Sequence, residues 1–247
     1  MKIKFYTALF GNYDVVPSID KNISNKYKFL LYTDQKNMNA KGYEIIQTKK
    51  LHYSPIISNR IIKFMPHKYC KDTDFAIYHD SNIQIKSDFI DYIVKNLKKF
   101  DDINIFRHPK SVNIFAELST LYRLGRINYK MYSNAESFIE NNCKIDSQFP
   151  CSENNIIIFN PNKIWDNDFY AELVNCLENV IPRDQIIYSV LLSKYKLKYS
   201  LHDTLNVNLN NNFFHRNQHN QSLQSKLRNQ FKILLNIFNY LLYGQTS

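Results

Sequence analysis

Short apolar runs rich in β-branched and aromatic residues alternate with stretches of helical spacing along most of this chain, and that alternation limits its fold more than any other feature. Runs at 3–10, 27–33, 44–47, 75–78 and 83–85 are bounded by turn formers and read as strands. Between them 58–71 reads as a helix. So does 87–100, where Phe89, Ile93, Val94, Leu97 and Phe100 share a face behind a Ser87/Asp88 cap. Strands at 103–106 and 155–159 and helices at 166–180 and 184–195 continue the pattern. Strands separated by helices predict an α/β fold with a mostly parallel central sheet flanked by helices. With no internal repeat and no Gly/Ser/Pro-rich linker, residues 1–220 read as one domain and 221–247 as a tail of different character.

Composition narrows the ligand. The 247 residues contain four glycines, Gly11, Gly42, Gly125 and Gly244, and none are spaced as a dinucleotide or P-loop phosphate cradle. A nucleotide must therefore be held by side chains or a metal. Thirty-two Lys and Arg against 22 Asp and Glu give a formal charge of +10, which suits nucleic acid, an acidic membrane surface or a phosphorylated small molecule. Cys70, Cys143, Cys151 and Cys176 form no C-x-x-C pair and read as buried thiols rather than zinc ligands. No apolar run approaches the ~20 residues of a spanning helix, and the N-terminal run is too short for a signal peptide, so a cytoplasmic location is expected.

The tail places Leu223, Leu227, Phe231, Leu234, Phe238 and Leu241 on one helical stripe, with Lys226, Arg228 and Lys232 among the polar positions. Two readings stand side by side: a helix lying on the inner face of the cell membrane by attraction to anionic lipid, or a helix docked on the core.

The sharpest local signal is His79-Asp80-Ser81-Asn82 after an apolar strand. Asp80 and Asn82, two apart, share a face and can present two oxygens to Mg²⁺ or Mn²⁺ at the strand's carboxyl end, where ligands of open α/β sheets gather. An Asp-Ser-Asn turn explains the same residues without a ligand. Arg60 and Lys63, one turn apart on a predicted helix, can meet diphosphate oxygens. Asp184 and Gln185 open a helix after Pro182, where an acidic residue also suits the positive helix end.

Taken in order, Phe5 to Asp14, Tyr32-Thr33-Asp34, Arg60-x-x-Lys63-x-x-Pro66-His67, His79 to Asn82, His108-Pro109 with Glu117, 153–159 and Arg183-Asp184-Gln185 resemble a glycosyltransferase-like family long filed as domain-of-unknown-function family 616, with plant mucilage-related members and bacterial relatives. The resemblance implies the nucleotide-sugar-binding GT-A fold, in which an Asp-x-Asp motif holds a divalent metal against a diphosphate. Here Asn82 replaces the second Asp. Thr7, Ala8, Gly11, Asp34, Arg60, Lys63, Asp80, Ser81 and Asn82 are then expected at the donor, and His108, Glu117, Glu153, Asn154 and Asn155 at the sugar or acceptor pocket. Asp184-Gln185 is similar to the sugar-contacting motif of glycosyltransferase family 8, which further implies a metal-ligating histidine, His215 before His202.

These features lead to a metal-dependent glycosyltransferase that moves a sugar from a nucleotide-diphosphate donor to a glycan or glycolipid hydroxyl. Abundant Asn, Lys and Ile suggest an AT-rich bacterial genome, and so capsule or lipopolysaccharide assembly. The rivals are a basic nucleic-acid-binding protein, for which no motif is present, and a Mg²⁺ nuclease built on Asp80, Asn82 and Glu153.

Overall fold

The structure is a computed structural model that describes residues 1–12, 14–143, 150–163, 167–207 and 210–217 and, of the C-terminal segment, residues 233, 234 and 236. Strands β1 (Ile3–Leu9), β2 (Lys28–Thr33), β3 (Glu44–Gln47), β4 (Phe75–His79), β6 (Ile103–Arg107), β7 (Ser152–Phe159) and β8 (Tyr199–His202) form one sheet in the order β3-β2-β1-β4-β7-β6-β8. Only β7 runs against its neighbours; the other pairings are parallel. The fold is mixed α/β with a mostly parallel central sheet. β5 (Ile83–Ile85) and β9 (Phe214–Arg216) make a separate antiparallel ribbon.

Alternation along the strands divides the core between the two faces. Tyr6, Tyr78, Ile157 and Phe159 pack with α2 (Pro55–Phe64), α5 (Ile114–Arg123), α6 (Tyr129–Asn142), α7 (Asn167–Asn179) and α8 (Asp184–Lys194). Phe5, Phe29, Ile77, Ile156 and Ile158 pack with α4 (Ser87–Asn96) and the ribbon. α1 (Lys21–Ser24) and α3 (Pro66–Tyr69) are single turns.

Several boundaries depart from the sequence reading. The helix expected at 58–71 begins at Pro55, whose fixed φ suits a first helical position, and breaks at Met65, because Pro66 disfavours a helical residue before it. α5 and α6 were not anticipated, although Ile114, Leu118, Leu121 and Tyr122 carry the helical period. Asn113 and Asn128 cap the two helices by accepting from Ala116 and Met131 N–H, 2.9 Å in each case. The expected helix at 166–180 is observed as α7, and its first residue, Asp166, lies outside the described residues. Of the tail stripe, only Leu234 is described.

Candidate functional site

Chain order in the sheet reverses between β1 and β4: β2 and β3 follow β1 on one side, and β4 lies on the other. Such switch points open a crevice at the carboxyl ends of the strands. A cleft of about 690 Å³ stands there, lined by residues that include Gly11, Asp14, Arg60, Lys63, Asp80, Ser81, Asn82, Asn155, Asp184 and Gln185. Because β7 is reversed, its amino end meets the carboxyl end of β4, and Asp80 N–H donates to the Asn155 carbonyl at 2.9 Å.

The centre of the cleft is an ion network. Lys63 and Arg60 share the cleft-lining face of α2, as their spacing predicts, and both reach Asp184 at the start of α8. Lys63 Nζ is 2.6 Å from Asp184 Oδ2 and 3.6 Å from Asp80 Oδ1, and Arg60 Nη2 is 3.3 Å from Asp184 Oδ1. Lys63 also sits 4.9 Å from the centre of the Tyr78 ring, and the Tyr78 hydroxyl donates to Asp80 at 3.1 Å. Burial alone would raise the Asp184 carboxyl. Lys63 and Arg60 overcome that and hold it well below the ordinary carboxylate range. Sequence spacing could not supply this contact, since 121 residues separate Lys63 from Asp184.

Asn82 is buried beside Asp80. Its Nδ2 donates to the Asn217 carbonyl at 3.0 Å, while its Oδ1 has no hydrogen-bond partner. The amide explains the departure from Asp-x-Asp: a carboxylate here would face a carbonyl oxygen. The unpartnered Oδ1 and the Asp80 carboxylate fit a divalent cation that takes few protein ligands and completes its shell with phosphate oxygens and water. Among the described residues, no three His, Cys, Asp or Glu side chains converge as a metal site.

The remaining candidates fall into three groups. Gly11 and Asn155 line the cleft, and Ser81 does too, although its hydroxyl donates to Asp14 at 3.0 Å and so ties the loop after β1. Glu153 lies on the Asn155 face of β7 and accepts from Asn155 Nδ2 at 2.9 Å. Its burial pushes the carboxyl up to about 7, against Arg216 and with Asp80. The third group is not among the residues that line this cleft, where the sequence reading expected it. Thr7 and Ala8 are inside β1 and fully buried, so they shape the sheet rather than a ligand surface. Asp34 accepts from Gly11 N–H at 3.2 Å and braces two strand ends. Asn154 faces the opposite side of β7, bonded by Ser152 Oγ at 2.8 Å. His108 and Glu117 do meet, at 4.0 Å, in a largely buried cluster with Ser111 that is not part of the cleft lining.

The two histidines offered as metal ligands also stand away from the cleft. His215 is exposed on β9, and strand alternation sends its neighbour Arg216 into the cleft instead. His202 lies on β8 at the sheet's edge, with Nε2 3.0 Å from Asn104 Oδ1. The sequence reading missed two cleft arginines, Arg126 and Arg216, because neither sits in a motif, and it gave no role to Arg183, which it quoted only beside Asp184 and Gln185; folding brings all three to the cleft.

No protein-family model matches the sequence, and neither does any curated protein. Among solved structures, the chain is similar to mouse xyloside xylosyltransferase 1 in its apo form, with 8% identity, 82% of this chain and 86% of that one covered, and a TM-score of 0.45. It is also similar to the galactosyltransferase LgtC in complex with donor and acceptor sugar analogues, with 12% identity, 77% and 70% covered, and a TM-score of 0.41. A third likeness is to the bifunctional IspDF of Campylobacter jejuni, with 11% identity and a TM-score of 0.38, covering 83% of this chain and half of that one. At TM-scores below 0.5 these are likenesses of outline and assign no activity.

Proposed function

We propose that the protein is a metal-dependent glycosyltransferase of the GT-A type, transferring a sugar from a nucleotide-diphosphate donor to a hydroxyl of a glycan or glycolipid. The observation that carries this reading is the juxtaposition, at the switch-point cleft, of Asp80 and the unpartnered Asn82 oxygen with the Lys63–Asp184–Arg60 network. The resemblance of the ordered motifs to family 616, and more loosely to family 8, supports the same reading. Asp80 and Asn82 would hold a divalent cation, Mn²⁺ or Mg²⁺, which when bound supplies positive charge to the departing diphosphate. A capsule or lipopolysaccharide acceptor follows from the composition, and the tail would bring the enzyme to the inner face of the membrane.

Asp184 belongs to this reading as a positioning group. A carboxylate held so far below the ordinary range is a poor proton acceptor, so it orients donor-sugar hydroxyls with Gln185, and the leaving phosphate takes the acceptor proton. That division of labour favours retention of the anomeric configuration. A thermal-shift screen of nucleotide sugars tests the proposal: the matching donor with Mn²⁺ should raise the melting temperature, and Asp80→Ala should abolish the rise. Stabilisation by oligonucleotides instead, with none by any nucleotide sugar, would sink it.

A further inference from the structure

Five cations line the cleft against three carboxylates, and two of the five are already used: Lys63 and Arg60 are spent on Asp184. Among the described residues, Arg126 and Arg183 form no ion pair. The other carboxylate close to Arg183, Glu117, is also committed, accepting from Ser111 and facing His108. Burial, with the charges of Arg60 and Arg126 adding to it, lowers the Arg183 guanidinium to about 10. The two arginines thus interact with each other, and among the described residues the carboxylates near Arg183, Asp184 and Glu117, already have other partners.

Their placement is built rather than incidental. Arg126 follows Gly125, whose φ of 64° ends α5 in a left-handed turn, with Gly125 N–H donating to the Tyr122 carbonyl and Arg126 N–H to the Leu121 carbonyl, both at 2.9 Å. The buried Asn236 amide clamps the same turn, donating to the carbonyls of Tyr122 at 2.8 Å and Ile127 at 3.1 Å. Arg183 is the residue before α8. Both positions belong to the cleft wall supplied by the turn after α5 and by the start of α8, two helices that pack on each other.

We propose that Arg126 and Arg183 form a subsite for an anionic group, a phosphate or a carboxylate, carried by the acceptor. This rests on the glycosyltransferase reading, which gives the donor's phosphates to Asp80, Asn82, Arg60 and Lys63 and its sugar to Asp184 and Gln185, and leaves Arg126 and Arg183 with no donor group to hold. Paired guanidinium forks suit planar or tetrahedral oxyanions.

The test titrates the full chain separately with inorganic phosphate, with glucuronate, and with UDP, GDP and CDP in turn. Arg126→Gln, on an exposed turn, should weaken the favoured anion at least tenfold and leave nucleoside-diphosphate affinity within twofold; Arg183→Lys, which keeps the charge, should weaken the anion less. Preference for phosphate or for glucuronate identifies a phosphorylated or a uronic-acid acceptor. Equal anion binding by wild type and Arg126→Gln overturns the inference, as does parallel loss of nucleoside diphosphate, which would assign the arginines to the donor. Arg126-dependent anion binding in a protein that binds no nucleoside diphosphate would overturn the glycosyltransferase reading and leave the anion subsite standing.

Discussion

Lys63 is 6% exposed and its ammonium is shared between Asp184 and Asp80, so its removal leaves a buried carboxylate with Arg60 as its remaining cation. Breaking a buried pair from one side costs about 3–5 kcal/mol, and removing both charges costs far less. Lys63→Met should therefore lower the urea midpoint strongly, and adding Asp184→Asn should recover most of the loss; strict additivity of the two changes would contradict the pairing. Two buried histidines and one buried carboxyl set a pH dependence, in which Glu153, raised to about 7, gains stability as pH falls and offsets about one histidine. Burial lowers both His67 and His79 to about 4. Between the unfolded value near 6.5 and 4, the unfolded chain binds protons that the native state refuses, so stability falls as pH drops, on the order of 1 kcal/mol per pH unit for each histidine. Urea unfolding at pH 7.5, 6 and 5 should show this slope, and His67→Asn should flatten it.

At the scale of elements, the α5–α6 turn depends on the C-terminal segment. Asn236 is 7% exposed and bonded to the turn's carbonyls, whereas Leu234, a member of the tail's apolar stripe, is 65% exposed. At this point the chain meets the turn through a polar side chain, while Leu234, a position of the apolar stripe, faces outward. Asn236→Ala strips buried carbonyls of their donor at a cost of about 1–3 kcal/mol and should lower the melting temperature by roughly 2–8 °C. Deleting 222–247 should reproduce that loss and also release the protein from anionic vesicles. A second element is fixed by Gly42 before β3. Its φ is +90°, and a Cβ there would stand 2.8 Å from Ile19 Cβ and 3.0 Å from the Ile19 carbonyl. Gly42→Ala should destabilise by about 1–3 kcal/mol in the same urea assay without affecting ligand binding.

On the scale of the whole molecule, the reversed β7 decides where the chemistry can sit. It brings Glu153 and Asn155 from residue 150 onward to the end of β4 that carries Asp80, and α8 then delivers Asp184 across the cleft to α2. No described helix is long and apolar enough to cross a membrane. The net charge of +10 is expressed inside the cleft as well as on the surface. Anion affinity should therefore fall as salt rises, and fall less steeply in Arg126→Gln, which phosphate titrations at two ionic strengths would measure.

Much of this was legible in the sequence, because it follows from local periodicity. The β-branched runs of β1, β2 and β4, the amphipathic spacing of α4 and the small menu of Asp80, Asn82, Arg60 and Lys63 are set by neighbours within a few residues. What the sequence left open depends on contacts between distant positions. Thr7 and Asp34 look like ligand residues at strand ends, and only the fold shows that Thr7 is buried inside β1 and that Asp34 accepts from Gly11. His215 and Arg216 differ by one position on β9, and the pleat alone selects which of them enters the cleft. Asp184 reads equally well as a helix-end acid or a sugar contact until Lys63 and Arg60, more than 120 residues away, hold it ionised; a charge's role is fixed by what folding places within a few ångströms of it.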